Sequence, residues 1–173
     1  HYGVKPDVIT LAKSLAAGYP LGAMLGNARV AESLKPGDHG TTFGGGPLAC
    51  RLALEVLDVI EQDGLVARAE DLGTYLTKGL KGLSSRHRLI GEIRGMGLMI
   101  GIQIGSQAKD IVNRLLNKGI ITNAAHETVL RLLPPFIIAR ENIDVFLSTL
   151  DDVLGEVESA AEGKQTSQES AYA

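Results

Sequence analysis

Three places in the sequence combine residue types that could do chemistry. Lys13 closes the apolar run Val8-Ile9-Thr10-Leu11-Ala12. Partial desolvation at the carboxy end of such a run favours the neutral, nucleophilic amine that imine formation needs. The same position equally suits a lysine that snorkels its ammonium to the surface. Lys13-Ser14 is not a nucleotide loop, because the five residues before it lack the glycines whose amides would cradle a phosphate. The second place is the loop Gly40-Thr41-Thr42-Phe43-Gly44-Gly45-Gly46-Pro47. It offers hydroxyls, backbone free to turn its amides inward and a helix start behind it, which suit an anion; the loop could equally serve only to cap that helix. The third is Arg131, flanked by Leu130 and Leu132 just before Pro134-Pro135. On a strand it points away from its apolar neighbours, and its planar fork matches a carboxylate, as it also matches a surface ion pair.

Other combinations carry less. Gly95, Gly97 and Gly101 do not have the spacing of a dinucleotide fingerprint, and a strand-like segment rather than a helix follows, so they read as turn and strand-packing glycines. His126 and Glu127 precede the Arg131 strand, where they either line a pocket or are simply exposed.

The elements that must position these residues are legible from periodicity. A buried strand is expected over residues 8–12, a second short strand over 23–26, and a brief helix over 28–34. Pro47 opens a long helix in which Leu48, Leu52, Val56, Val59 and Ile60 recur at spacings of three and four, facing one core. Asp63-Gly64 interrupts it, and a second helix is expected over 65–83. Strands over 89–94 and 98–104, a helix over 108–118 ended by Gly119, strands over 120–123 and 129–132 and a helix over 141–158 complete the pattern. The organisation expected is therefore 1–63 as one unit, 64–160 as a second, and 161–173 as a disordered tail rich in Ser, Gln and Ala.

Composition narrows the class. With 173 residues, 45% apolar content and a net charge of −3, the chain can bury a sizeable core but has no basic stripe for a phosphate backbone, which argues against nucleic acid as a partner. Cys50 is the single cysteine, so no internal disulfide forms, and the four dispersed histidines lack metal-ligand spacing. No apolar run approaches the roughly 20 residues of a membrane span, and the first residues lack the regions of a signal peptide, so a cytoplasmic protein is expected. Because the chain starts at His1 and enters a patterned segment almost at once, it is read as part of a longer protein.

Taken together, the segments are more specific than any one of them. Lys5-Pro-Asp-Val-Ile-Thr-Leu-Ala-Lys13-Ser-Leu-Ala-Ala-Gly-Tyr-Pro-Leu-Gly-Ala23 resembles the cofactor-lysine signature of the class III pyridoxal-phosphate-dependent aminotransferases, the acetylornithine, ornithine and 4-aminobutyrate group. His39 to Cys50 resembles the family's following phosphate loop, with its threonine at Thr42. Thr128-Val-Leu-Arg-Leu-Leu-Pro-Pro-Phe-Ile-Ile138 resembles the carboxylate-binding strand of the acetylornithine branch. The resemblance covers nearly everything from His1 to about Glu158, with the motifs in family order.

This resemblance implies an α/β fold type I transferase, represented by the end of the large cofactor domain and the small carboxy-terminal α+β domain. It implies that Lys13 carries pyridoxal 5′-phosphate as an imine and, once freed by the incoming amine, moves the substrate proton as general acid and base. It also implies that Thr42, with Thr41 beside it, binds the cofactor phosphate of a neighbouring subunit, so that a homodimer shares its active sites. Arg131 would clamp the α-carboxylate of glutamate. The reaction implied is transfer of an amino group between N-acetylornithine and 2-oxoglutarate in arginine biosynthesis; the alternatives are an ornithine or 4-aminobutyrate aminotransferase, or a noncatalytic fold and dimerisation fragment. Two positions depart from the family pattern: Gly46 stands where Asn is usual, and Ser14 to Gly18 replace a more glycine-rich stretch. The family's aspartate for the pyridine nitrogen, its ring-stacking aromatic and its first phosphate loop fall upstream of His1, so these 173 residues alone are expected not to transaminate.

Overall fold

The computed structural model describes residues 2–170. They fall into two compact units, divided between Gly64 and Leu65.

In the first unit, strand β1 (Val8–Leu11) and strand β2 (Ala23–Gly26) pair antiparallel, with Val8 opposite Gly26 and Leu11 opposite Ala23. A 3-10 turn (Lys13–Ala16) follows β1 directly. Helix α1 (Ala28–Ser33) is capped by Asn27, whose Oδ1 accepts from the Val30 N–H at 3.1 Å. Asp7 Oδ1 accepts from Asn27 Nδ2 at 2.6 Å and from Arg29 Nη2 at 3.0 Å, tying the helix entry to the strand. Helix α2 (Pro47–Gln62) packs on the 3-10 turn, has Pro47 in its first turn, and ends where Gly64 takes φ +59.

Two sequence expectations fail here for one reason. The strand expected to be buried is exposed along its whole length, with Ile9 at 46%. The apolar positions of α2 do not face one core either: Leu48 and Val59 are exposed, and Ala49 is the buried residue of that helix. Periodicity reports which residues need covering, not what covers them. Within the first unit only β2 pairs with β1, and the 3-10 turn is too small to bury a 16-residue helix.

The second unit has a proper core. Helix α3 (Leu65–Ser84) leads to the sheet β3-β4-β6-β5, built from β3 (Ile93–Met96), β4 (Met99–Gln103), β5 (Asn123–Ala125) and β6 (Val129–Leu132), antiparallel throughout. Helix α4 (Ala108–Asn117) lies between β4 and β5 in the chain, and α5 (Arg140–Ser170) follows β6. The period of two sends Ile100 and Ile102 of β4 and Leu130 and Leu132 of β6 to one face. There they meet Leu76 and Leu80 of α3, Ile111 and Leu115 of α4, and Ile143, Leu150 and Leu154 of α5. Helices thus cover one sheet face, giving the two-layer α+β arrangement that the sequence implies.

Boundaries moved by a few residues. The strand placed at 120–123 is β5 at Asn123–Ala125, because the Ile120 N–H is drawn back to the Leu115 carbonyl to finish α4. The strand placed at 89–94 begins only at Ile93, since Leu83 to Ile90 close α3 with turn hydrogen bonds. Where the composition suggests a disordered tail over 161–173, α5 continues to Ser170, with Val157 the last of its side chains packed in the core cluster among the described residues; residues 171–173 lie outside the described residues.

One close approach is set by glycine. A Cβ on Gly73 of α3 would overlap the Gly97 carbonyl in the β3–β4 turn, so the helix can lie this near the turn only without a side chain.

Candidate active site

The first unit holds Lys13 and the Thr41–Thr42 loop. Lys13 opens the 3-10 turn at φ +60, in the left-handed region that costs a non-glycine residue about 1–2 kcal/mol. Ala17 at φ +53 closes the same turn. The turn therefore swings the chain sharply as it leaves β1 and sets the lysine at the bend. The side chain is exposed, so the desolvation expected from its place at a strand end is not supplied by this unit. The cause is the same uncovered β1–β2 pair.

In the loop before α2 the two threonines differ. Thr41 Oγ1 accepts from the Gly44 N–H at 3.0 Å, which folds the loop back on itself. Among the described residues, Thr42 Oγ1 has no partner and is exposed. The amino end of α2 has Gly46 as its cap and no side-chain cap hydrogen bond, so the first-turn amides of a 16-residue helix have no side-chain cap. A free hydroxyl and uncapped helix amides in one loop–helix segment are donors of the kind a phosphate takes, and an ammonium elsewhere in the unit is of the kind an aldehyde takes.

Arg131 belongs to the second unit, on β6, where it is exposed while Val129, Leu130 and Leu132 are buried. The alternation expected from the sequence is thus present. Its Nε–H donates to Asn123 Oδ1 at 3.1 Å, and among the described residues its Nη groups have no partner. It lines a groove of about 610 Å³ walled by Leu76, Leu132, Pro134, Ile143 and Phe146, with Asn123 and Thr122 as the polar lining near it. Thr122 Oγ1 is buried there and makes no hydrogen bond. An unpaired guanidinium in an apolar groove is what an organic carboxylate needs. The sequence reading missed Asn123; the signal that could have found it is the eight-residue spacing that a β5–β6 hairpin places side by side.

The remaining candidates sort as surface residues. His126 and Glu127 turn the β5–β6 hairpin at φ +48 and +63, both exposed. Glu127 accepts from Lys109 Nζ at 2.6 Å, and that hydrogen bond holds its carboxyl below the usual range. Gly95 lies within β3 and Gly97 in the β3–β4 turn, as expected of strand-packing and turn glycines. No group of three or more His, Cys, Asp or Glu suited to a metal, and no helix long and apolar enough to cross a membrane, occurs among the described residues.

Residues 1–154 match the sequence profile of the family described as Aminotransferase class-III. The chain belongs to this family. Among curated relatives, the class III chain is 45% identical over 157 residues to the acetylornithine aminotransferase of Methanocaldococcus jannaschii, covering 91% of this chain and 39% of that protein. It is 44% identical over 158 residues to the acetylornithine aminotransferase of Caldanaerobacter subterraneus, covering 91% and 40%. The chain thus spans about 40% of the length of these relatives. Among solved structures, the acetylornithine aminotransferase of Elizabethkingia anophelis superposes with a TM-score of 0.83 at 35% identity, covering 88% of this chain and 42% of that one. The ornithine aminotransferase of Toxoplasma gondii superposes at 0.84 and 37%, covering 91% and 39%. The fold of the class III chain is accordingly that of part of a fold type I aminotransferase.

Proposed function

We propose that these residues belong to a pyridoxal-phosphate-dependent aminotransferase that moves an amino group between N-acetylornithine and 2-oxoglutarate. The observation that carries the reading is identity of about 45% to an acetylornithine aminotransferase across 91% of the chain, together with Lys13, Thr42 and Arg131 in the family's motifs. When bound, pyridoxal phosphate supplies an electron sink for the charge left when a substrate carbon gives up its proton.

The chain's own residues have separate tasks in this reading. Lys13 Nζ anchors the cofactor covalently and afterwards takes and returns the substrate proton, as a general base and then a general acid. Thr42 Oγ1 and the open amides of α2 hold the phosphate of the neighbouring subunit's cofactor, and Thr41 keeps the loop folded. The departure at Gly46 leaves the helix end without a side-chain cap, so those amides face no internal competitor. Arg131 holds the α-carboxylate of glutamate. The first 63 residues form the end of the cofactor domain, residues 64–160 the small domain, and the holoenzyme is a cytoplasmic homodimer sharing its sites. An ornithine aminotransferase is the second reading, favoured by the Toxoplasma gondii superposition. Because the chain spans about 40% of its relatives' length, the 173 residues alone are proposed to have no measurable turnover.

Lys13→Ala in the full-length holoenzyme tests the reading. The visible absorbance of the bound cofactor should change, borohydride reduction should no longer add the cofactor's mass to the peptide that carries residue 13, and turnover should drop by roughly 10²–10⁴. An absorbance left unaltered by the substitution would sink the assignment.

A further inference from the structure

Arg131 sits in a row that crosses the sheet from strand to strand: Arg94 of β3 opposite Gly101 of β4, Gly101 opposite Arg131 of β6, and Arg131 opposite Asn123 of β5. Residues directly opposite in an antiparallel pair have their Cβ atoms about 4.5–5.5 Å apart, against about 7–8 Å for diagonal neighbours, so the residues beside Arg131 in the row are its nearest cross-strand partners. On one flank Arg131 meets a glycine, which has no side chain to orient anything; a Cβ at Gly101 would come within 3.2 Å of Val129 Cγ1, so a larger residue there would have to push Val129 aside by a few tenths of an ångström. On the other flank stands Asn123, whose Oδ1 accepts the Arg131 Nε–H at 3.1 Å. Asn123 is exposed and lines the same groove as Arg131.

A guanidinium can grip a carboxylate along two edges, side-on through Nε and one Nη or end-on through both Nη groups. Occupation of Nε removes the first edge. We propose that Asn123 is a positioning residue for Arg131, committing its guanidinium to end-on, two-pronged binding of the substrate α-carboxylate and fixing the plane in which that carboxylate lies. This rests on the reading of Arg131 as the carboxylate clamp. In this role Asn123 acts through Arg131, sparing it the search among its rotamers and excluding the competing edge. A neutral amide suits this role because it accepts a hydrogen bond without cancelling the charge of the guanidinium, as an aspartate there would.

The test uses the full-length holoenzyme and compares Asn123→Ala, Arg131→Lys and the double variant. Asn123→Ala should raise KM for glutamate roughly 3- to 10-fold, the size expected for the loss of one ordinary hydrogen bond, with kcat within about twofold. KM for an alkylamine donor without a carboxylate should not move. Lysine has no Nε–H donor of this geometry, so adding Asn123→Ala to Arg131→Lys should produce no further increase. Asn123→Gln, which keeps an amide oxygen on a longer stem, should recover part of the loss. If Arg131→Lys raises KM for glutamate but Asn123→Ala does not, Arg131 keeps its role and the positioning role of Asn123 is overturned. An equal rise for glutamate and the alkylamine would reduce Asn123 to a structural residue. If Arg131→Lys itself leaves KM for glutamate unchanged, the clamp is wrong and the positioning role goes with it.

Discussion

Two adjacent threonines show how much one hydrogen bond decides. Thr41 has its oxygen engaged by the Gly44 amide, whereas Thr42 Oγ1 has no partner among the described residues. The resemblance to the family puts the phosphate contact at Thr42, and the geometry leaves that hydroxyl available. Thr42→Ala in the full-length protein should therefore weaken pyridoxal phosphate about 10-fold, the loss of one charge-assisted hydrogen bond. Thr41→Ala should instead cost stability, about 1 kcal/mol as for a lost capping interaction, with a smaller effect on cofactor affinity. Titration of apoenzyme with the cofactor, alongside thermal melts, separates the two; equal losses of affinity would contradict the division of labour.

Among the elements, the junction between the end of α3 and α5 carries a charged clamp that sequence periodicity does not reveal. His87, buried just past α3, has Asp151 Oδ1 at 2.5 Å from Nε2 and Glu158 Oε2 at 2.9 Å from Nδ1. Ionised carboxylates only accept, so both ring nitrogens must donate and the ring is an imidazolium. Burial pushes His87 down, but the hydrogen bonds to Asp151 and Glu158 outweigh it and hold the ring above its ordinary value of 6.5. Asp151 is lowered chiefly by its hydrogen bond to His87, with Arg86 Nη2 at 2.7 Å adding to it. Burial pushes Glu158 up, yet His87, the Leu89 N–H and nearby Arg88 bring it below its ordinary 4.5.

The signs then follow by linkage. The His87 contribution is fully present below 6.5 and is lost as pH rises through the raised folded value. The carboxylate contribution is present above the ordinary values of 3.8 and 4.5 and is lost as pH falls through the lowered ones. The clamp is strongest between these limits. His87→Ala should destabilise the second unit by roughly 2 kcal/mol in that window, because it strands Glu158 beside the core, and by less at alkaline pH. Melting curves that stay parallel for the two proteins from about pH 5 to 9 would rule the clamp out.

Legibility tracks range in these elements. Helix α3 and strand β6 were readable because Leu72, Leu76, Leu80 and Leu83, or Leu130 and Leu132, repeat within one element. The His87 clamp was not, since its partners lie 64 and 71 residues away. The motifs around Lys13, Thr42 and Arg131 were legible through resemblance, while the Asn123 contact needed the register of β5 on β6. The burial of β1 was misread because alternation and β-branching describe a strand's demand for cover, which the first unit does not meet.

At the scale of the whole chain the two units are unequal. In residues 2–64 the buried apolar side chains are Ala16 and Ala49, whereas the second unit buries a continuous cluster from Leu72 to Val157. Residues 65–170 should therefore fold alone with a cooperative thermal transition, and residues 1–64 alone should not. Dispersed amide spectra from the shorter piece, or their absence from the longer one, would contradict this.

The exposed apolar side chains of β1, β2 and α2 also leave a thermodynamic signature. Water already reaches about half of Ile9, Leu25 and Leu54 in the folded chain, so unfolding them adds less to heat capacity and to the denaturant slope than core side chains would. Calorimetry on the 173-residue chain should return a heat-capacity increment near roughly 1.5 kcal/mol/K, the size for its second unit, rather than the roughly 2.3 kcal/mol/K expected of a fully cored protein of its length. Its unfolding would weigh it as a smaller protein than its mass.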